Sequence, residues 1–397
     1  MNRIAFFVAI FLSVVCFAQD ARSPTAAIVT YPIVHTGVIQ AYDNQGTIPL
    51  PKEGEDFYGQ DAHFIMNAPA YRDNKDGTIT DLVTGLIWQQ DMGPKMTSAE
   101  AQVKLDQLNK GTYDDWRIPT IKELFSLALY TGRAFGEKTV DPFIDTRYFF
   151  QPIGDLAAGE REIDAQTWSA TMSHGIIMGR DANSRFGMNF VDGRLKSYPL
   201  LSPRVGAENR MYYRFVRGNT EYGRNSFHDN NDGTVYDEAT GLMWQKSDAG
   251  VALDWKSALE YAESSELAGY SDWRLPSIKE LQSIVDYNRG PAATNSPSID
   301  PVFSCTAITN PDGTLNYPYY WSATTLLDGP KPGNQAAYIC FGIATAKVNY
   351  TIVDAHGAGA VRSDPKSGDA SEYPKYFGPQ GDMLVVYNYV RLVRTTR

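Results

Sequence analysis

The chain has 397 residues, of which 21% are charged and 12% aromatic, with a net charge of −10. That length suits two domains of ordinary size, and the acidic balance disfavours general attraction to nucleic acid or to an anionic membrane. The five histidines, His35, His63, His174, His228 and His356, show no metal-ligand spacing.

The first residues read as an export signal over 1–18. A short basic start at Met1-Asn-Arg3 precedes an apolar run from Ile4 to Val15 and a small-residue cleavage region at Cys16-Phe-Ala18. No later segment approaches the ~20 apolar residues a membrane span needs. The mature chain is expected in the periplasm, at the outer surface or outside the cell. Residues 19–70 read as an N-terminal arm, with turn signals at Asp43-Asn-Gln-Gly46 and Pro49-Leu-Pro51 and aromatic positions Tyr42, Phe57 and Tyr58. The arm is expected to pack on the segment that follows it.

From residue 71 the chain repeats itself, as a first copy over 71–218, a short linker over 219–225 and a second copy over 226–397. Asp76-Gly-Thr and Asp232-Gly-Thr are hairpin turns leading into strands. Leu86-Ile-Trp88 and Leu242-Met-Trp244 are buried second strands. A first helix follows, capped at Thr97-Ser-Ala-Glu100 in one copy and carrying a face of Trp255, Ala258, Leu259 and Ala262 in the other. A second helix opens after Asp115-Trp-Arg-Ile-Pro119 and Asp272-Trp-Arg-Leu-Pro276, with capping boxes Thr120-Ile-Lys-Glu123 and Ser277-Ile-Lys-Glu280. Strands and long loops then carry Trp168-Ser-Ala-Thr171 and Trp321-Ser-Ala-Thr324, and each copy closes on Tyr213-Arg-Phe-Val-Arg217 or Val390-Arg-Leu-Val-Arg394. Two helices followed by many strands is an α+β pattern. A period of about 156 residues marks a duplicated domain and not a solenoid, and a tandem suggests bivalent binding.

Several clusters carry candidate chemistry. Cys305 and Cys340, inside one copy of an exported protein, are expected to form a disulfide worth about 3–4 kcal/mol if unstrained. Trp116, Arg117, Trp273 and Arg274 read as structural corners, with the arginines bonded to Asp115 and Asp272 or to carbonyls; Trp88, Trp168, Trp244 and Trp321 belong to the same core motif. The other reading of Arg117 and Arg274 is a forked donor to a carboxylate or sulfate. The acidic loops Asp73–Asp76 and Asp229–Asp232 invite calcium, but an EF-hand register puts Arg72 or His228 at the first ligand position. Side-chain-stabilised turns are favoured, so no metal or cofactor is expected. The basic stretch from Arg180 to Arg217 supplies the candidate ligand-binding residues: Arg180, Arg185, Arg194, Lys196, Tyr198 and Arg204, suited to carboxylate or sulfate groups. No nucleophile elbow or cysteine–histidine signature occurs, and no enzymatic activity is expected.

Together the Asn-x-Asp-Gly-Thr, Thr-Gly-Leu-x-Trp, Asp-Trp-Arg-Leu-Pro-x-x-Lys-Glu-Leu, Trp-Ser-Ala-Thr and terminal Val-Arg motifs resemble the Lcl C-terminal domain family. This is a bacterial exported module named after the end of a collagen-like adhesin. The Arg-Leu-Pro helix entry also resembles formylglycine-generating, sulfatase-modifying enzymes, whose fold is related to C-type lectins. The resemblance implies two tandem C-type-lectin-like modules, each with two helices and a twisted antiparallel sheet with long loops. It further implies a glycan-binding head, which in the namesake recognises sulfated glycosaminoglycans. This chain lacks a Gly-X-Y stalk and is acidic. The expectation is an exported, non-catalytic, adhesin-like protein binding a sulfated or uronic-acid glycan through its late loops. The alternative is a structural cell-envelope or appendage subunit that binds a protein partner at the surface.

Overall fold

The computed structural model describes residues 29–134, 140–179, 183–202, 206–329, 331–378 and 380–396. The export signal lies outside these residues.

Each copy opens with the same small antiparallel sheet. In the first it comprises Tyr71–Asp73, Thr78–Asp81, Leu86–Gln89 and Val216–Gly218; in the second, Phe227–Asp229, Thr234–Asp237, Leu242–Gln245 and Val393–Thr395. The hairpin turns are built by aspartate. Asp76 accepts from the Thr78 N–H and hydroxyl at 3.0 and 2.6 Å, and Asp232 does the same for Thr234. The last strand of each copy returns beside its buried tryptophan strand, Val216 opposite Trp88 and Val393 opposite Trp244. Each module is thus closed by its own final strand.

Helices α1 (Ser98–Leu108) and α2 (Ile121–Ser126) in the first module match α3 (Trp255–Glu263) and α4 (Ile278–Ser283) in the second, which adds the short α5 (Pro291–Thr294). Capping boxes start α1, α2 and α4, while Asp254 alone caps α3. The second module also has a further four-stranded sheet, Thr345–Val348, Thr351–Asp354, Tyr376–Phe377 and Asp382–Met383. The molecule is α+β, with antiparallel sheets and few helices.

The modules are fused through their edges. Three strands of the first (Thr167–Ser173, Ser184–Asn189, Arg194–Pro199) and three of the second (Tyr319–Leu326, Gln335–Cys340, Val361–Pro365) form one six-stranded sheet, joined where Leu195 faces Val361. Pairing hides two edges that would otherwise stay open. On this sheet α2 contacts α4. One hydrophobic core runs through both modules, from Trp88, Ile121 and Phe125 to Trp244, Ile278 and Leu281. The linker is part of the junction: Tyr222 is buried and meets Tyr31 edge-on at 4.5 Å.

One expectation is extended and one corrected. The arm meets the first module, where the Tyr130 N–H donates to the Thr36 carbonyl at 2.8 Å, and it also lies across the second. There Phe57 faces Trp255, Asp56 pairs with Lys256 at 2.9 Å, Gly54 N–H donates to Glu263 at 2.6 Å, and Lys366 donates to the Asp43 carbonyl at 3.1 Å. Cys305 and Cys340 are free thiols. Cys340 stands opposite Tyr319, whereas Cys305 lies 3.4 Å from the hydroxyl of Tyr320. Successive strand residues face opposite ways, so the sheet itself separates the two sulfurs.

Candidate functional site

The repeated motifs are packed into the fold. Arg117 and Arg274 reach main-chain carbonyls, of Asn219 at 3.4 Å and Leu275 at 3.3 Å, but their carboxylate partners are not Asp115 and Asp272. All six motif tryptophans, Trp88, Trp116, Trp168, Trp244, Trp273 and Trp321, are buried. Arg117 pairs with Glu123, and Arg274 makes a two-pronged pair with Glu280 at 2.7 and 2.6 Å. Thus the capping-box glutamate holds the arginine as well as the helix start. Asp115 and Asp272 instead bind the closing arginines, Arg217 at 2.7 Å and Arg394 at 2.6 Å. Arg214 and Arg391 are fully buried and each donates to three carbonyls: Gln89, Gln90 and Phe150 in one copy, Gln245, Lys246 and Ser304 in the other. The six-residue Arg-to-Glu spacing, present in both copies, was the available sequence signal for the first pairing.

Among the basic candidates, Arg180 and Arg204 lie outside the described residues. Arg185 is half-buried on Ser184–Asn189. Arg194, Lys196 and Tyr198 share the strand that joins the modules, and Tyr198 is buried. Lys196 donates to Gln380 at 3.2 Å and lies 5.4 Å from the centre of the Tyr198 ring. Burial, reinforced by the nearby Arg362 charge, lowers the Lys196 ammonium to about 8. Facing it from the second module, Asp382 takes a bond from Arg362 and lies 2.6 Å from His356 Nε2. Burial and then the Arg362 charge push the His356 imidazole down to about 3, so it stays neutral near pH 7. These groups form a charged seam between modules.

Two grooves occupy matching places in the repeat. One, about 740 Å³, is lined by Arg117, Thr120, Glu123, Ala170 and Thr171 of the first module, with linker residues and Asp286 to Asn288 opposite. The other, about 170 Å³, is lined by the counterparts Arg274, Ser277, Glu280 and Ala323, together with the arm residues His35, Asp61 and Phe64. The arm fills the second groove; nothing comparable enters the first among the described residues. Asp61 is buried there and accepts from Thr36 at 2.6 Å and Thr324 at 2.7 Å. Its carboxyl is held above the usual range by burial, which those hydrogen bonds oppose.

A third feature belongs to the extra sheet. Asn349 and Tyr350 form the two-residue turn between Thr345–Val348 and Thr351–Asp354, both with left-handed φ, +47° and +66°. Tyr350 is 94% exposed. Lys347 Nζ lies 5.8 Å from its ring centre and 5.5 Å from that of Tyr376. Sequence reasoning missed Lys347, Tyr350 and Tyr376, since Asn-Tyr is not one of the Asn-Gly or Asp-Gly pairs that announce such a turn.

No helix among the described residues is long and apolar enough to cross a membrane, and no cluster there could hold a metal ion. With the modules and their grooves in view, the chain is a fused pair of one α+β unit. The family model of the Lcl C-terminal domain matches residues 77–217 and again 233–362. The chain belongs to the Lcl C-terminal domain family. No curated protein and no solved structure matches it.

Proposed function

We propose that the chain is an exported, non-catalytic binding protein whose ligand is a glycan, held adhesin-like by late loops on C-type-lectin-like modules. The observation that carries this reading is Tyr350, a large ring kept almost wholly in water on a strained turn beside Lys347. A non-glycine residue at positive φ costs stability, and such strain concentrates at functional positions. An exposed tyrosine offers an apolar face for the C–H side of a sugar ring and a hydroxyl for its rim. The Lys347 ammonium between Tyr350 and Tyr376 adds a donor for a carboxylate or sulfate.

Membership in the family supports a binding role, and the platform lies in a late loop of the second module. The test is a glycan array containing sulfated and uronic-acid polysaccharides, probed at low and physiological salt with the mature chain and with a Tyr350→Ala, Lys347→Ala variant. A salt-sensitive hit lost in the variant supports the reading; a hit unchanged in the variant removes this site from it. The protein-partner reading is supported by a different place, the open groove of the first module.

A further inference from the structure

The two grooves permit a comparison within one molecule. In both modules a Trp-Ser-Ala-Thr threonine accepts from the first N–H of the second helix: Thr171 from Ile121 at 3.0 Å, Thr324 from Ile278 at 2.9 Å. Thr324 then donates its hydroxyl proton to Asp61 at 2.7 Å. Thr171 has no such acceptor among the described residues. The neighbouring arginines differ in the same sense. Arg274 lies under the Phe64 ring, 4.9 Å from its centre, with 6% of its side chain exposed. Arg117 keeps the same glutamate partner but remains 27% exposed and lines the open groove.

We infer that the first-module groove is a docking site for a segment of a partner protein that presents an acidic residue followed three positions later by an aromatic one. The pattern is taken from the arm itself, Asp61-Ala-His-Phe64, which closes the matching groove of the second module. The carboxylate would accept from Thr171, and the ring would cover Arg117, as Asp61 and Phe64 do at Thr324 and Arg274. Around the groove Arg117 pairs with Glu123, Arg224 with Glu221, and Lys122 donates to Asn225 and to the Ser283 carbonyl. Recognition therefore rests on the Thr171 hydroxyl and the open face of Arg117 and not on net charge. At about 740 Å³, the space is large enough for several side chains. This site is separate from the Tyr350 platform, so either assignment can fail without the other.

The test uses a fluorescein-labelled peptide of residues Phe57–Asn67, titrated with the full mature chain and read by fluorescence polarisation. The second groove is already filled by an arm tethered at high effective concentration, so the free peptide reports on the first. Saturable binding is expected, weakened about tenfold or more by Asp61→Asn in the peptide or Thr171→Val in the protein, since each removes a charge-assisted hydrogen bond. Thr171→Ser should restore it, which separates loss of the hydroxyl from loss of folding. Thr324→Val should leave it unchanged. The inference is overturned by absence of binding up to millimolar protein, by binding indifferent to Thr171→Val, or by binding lost in Thr324→Val, which would mean the peptide merely displaces the arm. It is also overturned if uronic-acid oligosaccharide, and not the peptide, binds in a Thr171-dependent way.

Discussion

Lys122 and Lys279 occupy the same position in the two repeats and make the same bond in opposite directions. Lys122 Nζ donates to the Ser283 carbonyl at 2.7 Å, and Lys279 Nζ donates to the Ser126 carbonyl at 2.8 Å. Each lysine reaches across to the last residue of the other module's second helix, so the junction has an approximate two-fold axis. Burial lowers both ammonium groups, Lys122 to about 8 and Lys279 to about 7, with nearby aspartates opposing the shift.

A pH dependence follows from that burial. Unfolded lysine titrates near 10.4, so between about 7 and 10 the unfolded chain binds protons that the folded chain has released. Folded stability therefore rises with pH across this window, by up to about 1.4 kcal/mol per pH unit for each lysine. Below both folded values the cost of burying the charge is fully present. Denaturant melts at pH 6.5, 8 and 9.5 should show the intact chain gaining on a Lys122→Met, Lys279→Met variant. A constant difference would refute the burial argument.

Arg214 and Arg391 should be among the least replaceable residues. Each guanidinium satisfies three carbonyls in a site without water access, and truncation orphans them all. Arg391→Ala or Arg214→Ala should each cost about 3–5 kcal/mol, the range for breaking a buried charged network. Replacing surface-facing Arg210, whose pairing with Glu100 is exposed, should cost less than about 1 kcal/mol. Chemical denaturation of the three variants checks the ranking.

The thiols should behave as unlinked. Non-reducing and reduced samples should migrate alike, and Cys305→Ser with Cys340→Ser should leave no loss attributable to a closed loop. Burial raises the Cys340 thiol well above its ordinary value, so Cys340 should resist alkylation until the chain unfolds. Mass spectrometry after iodoacetamide, with and without denaturant, decides this.

Tyr350→Gly should separate binding from stability. Glycine adopts positive φ freely, and Asn-Gly is the preferred pair for this kind of turn. The substitution should therefore raise stability by up to about 1 kcal/mol, while weakening any glycan that stacks on the ring. A melting temperature that falls would show that the ring supports the fold.

Much of each module was legible in the sequence because its determinants are local. Hairpin turns announce themselves through Asp76-Gly77 and Asp232-Gly233, and helix starts through Thr120 and Ser277 three residues before a glutamate. The junction was not legible. Leu195 and Val361 are ordinary strand residues, and nothing nearby in the sequence says that their edges meet. Arg194 and Lys196 therefore read as ligand-binding residues, although their surroundings are completed by Arg362, Gln380 and Asp382 far along the chain. The cysteine pairing failed for a related reason: spacing says nothing about which face of a sheet each sulfur occupies. The arm's reach onto the second module was not legible because proximity in sequence favoured the first copy, whereas Trp255, Lys256 and Thr324 sit on the second.

Joining the halves in one chain also changes what mutation can do to them. In a symmetric dimer of identical subunits, one codon alters both copies of a site, and neither can be tuned alone. Here the near-symmetric junction is encoded twice. The second groove could acquire a permanent plug from the arm, and the second sheet an extra hairpin tipped with Tyr350, while the first half kept its opening. Covalent duplication has freed two equivalent positions to take different partners within a single chain.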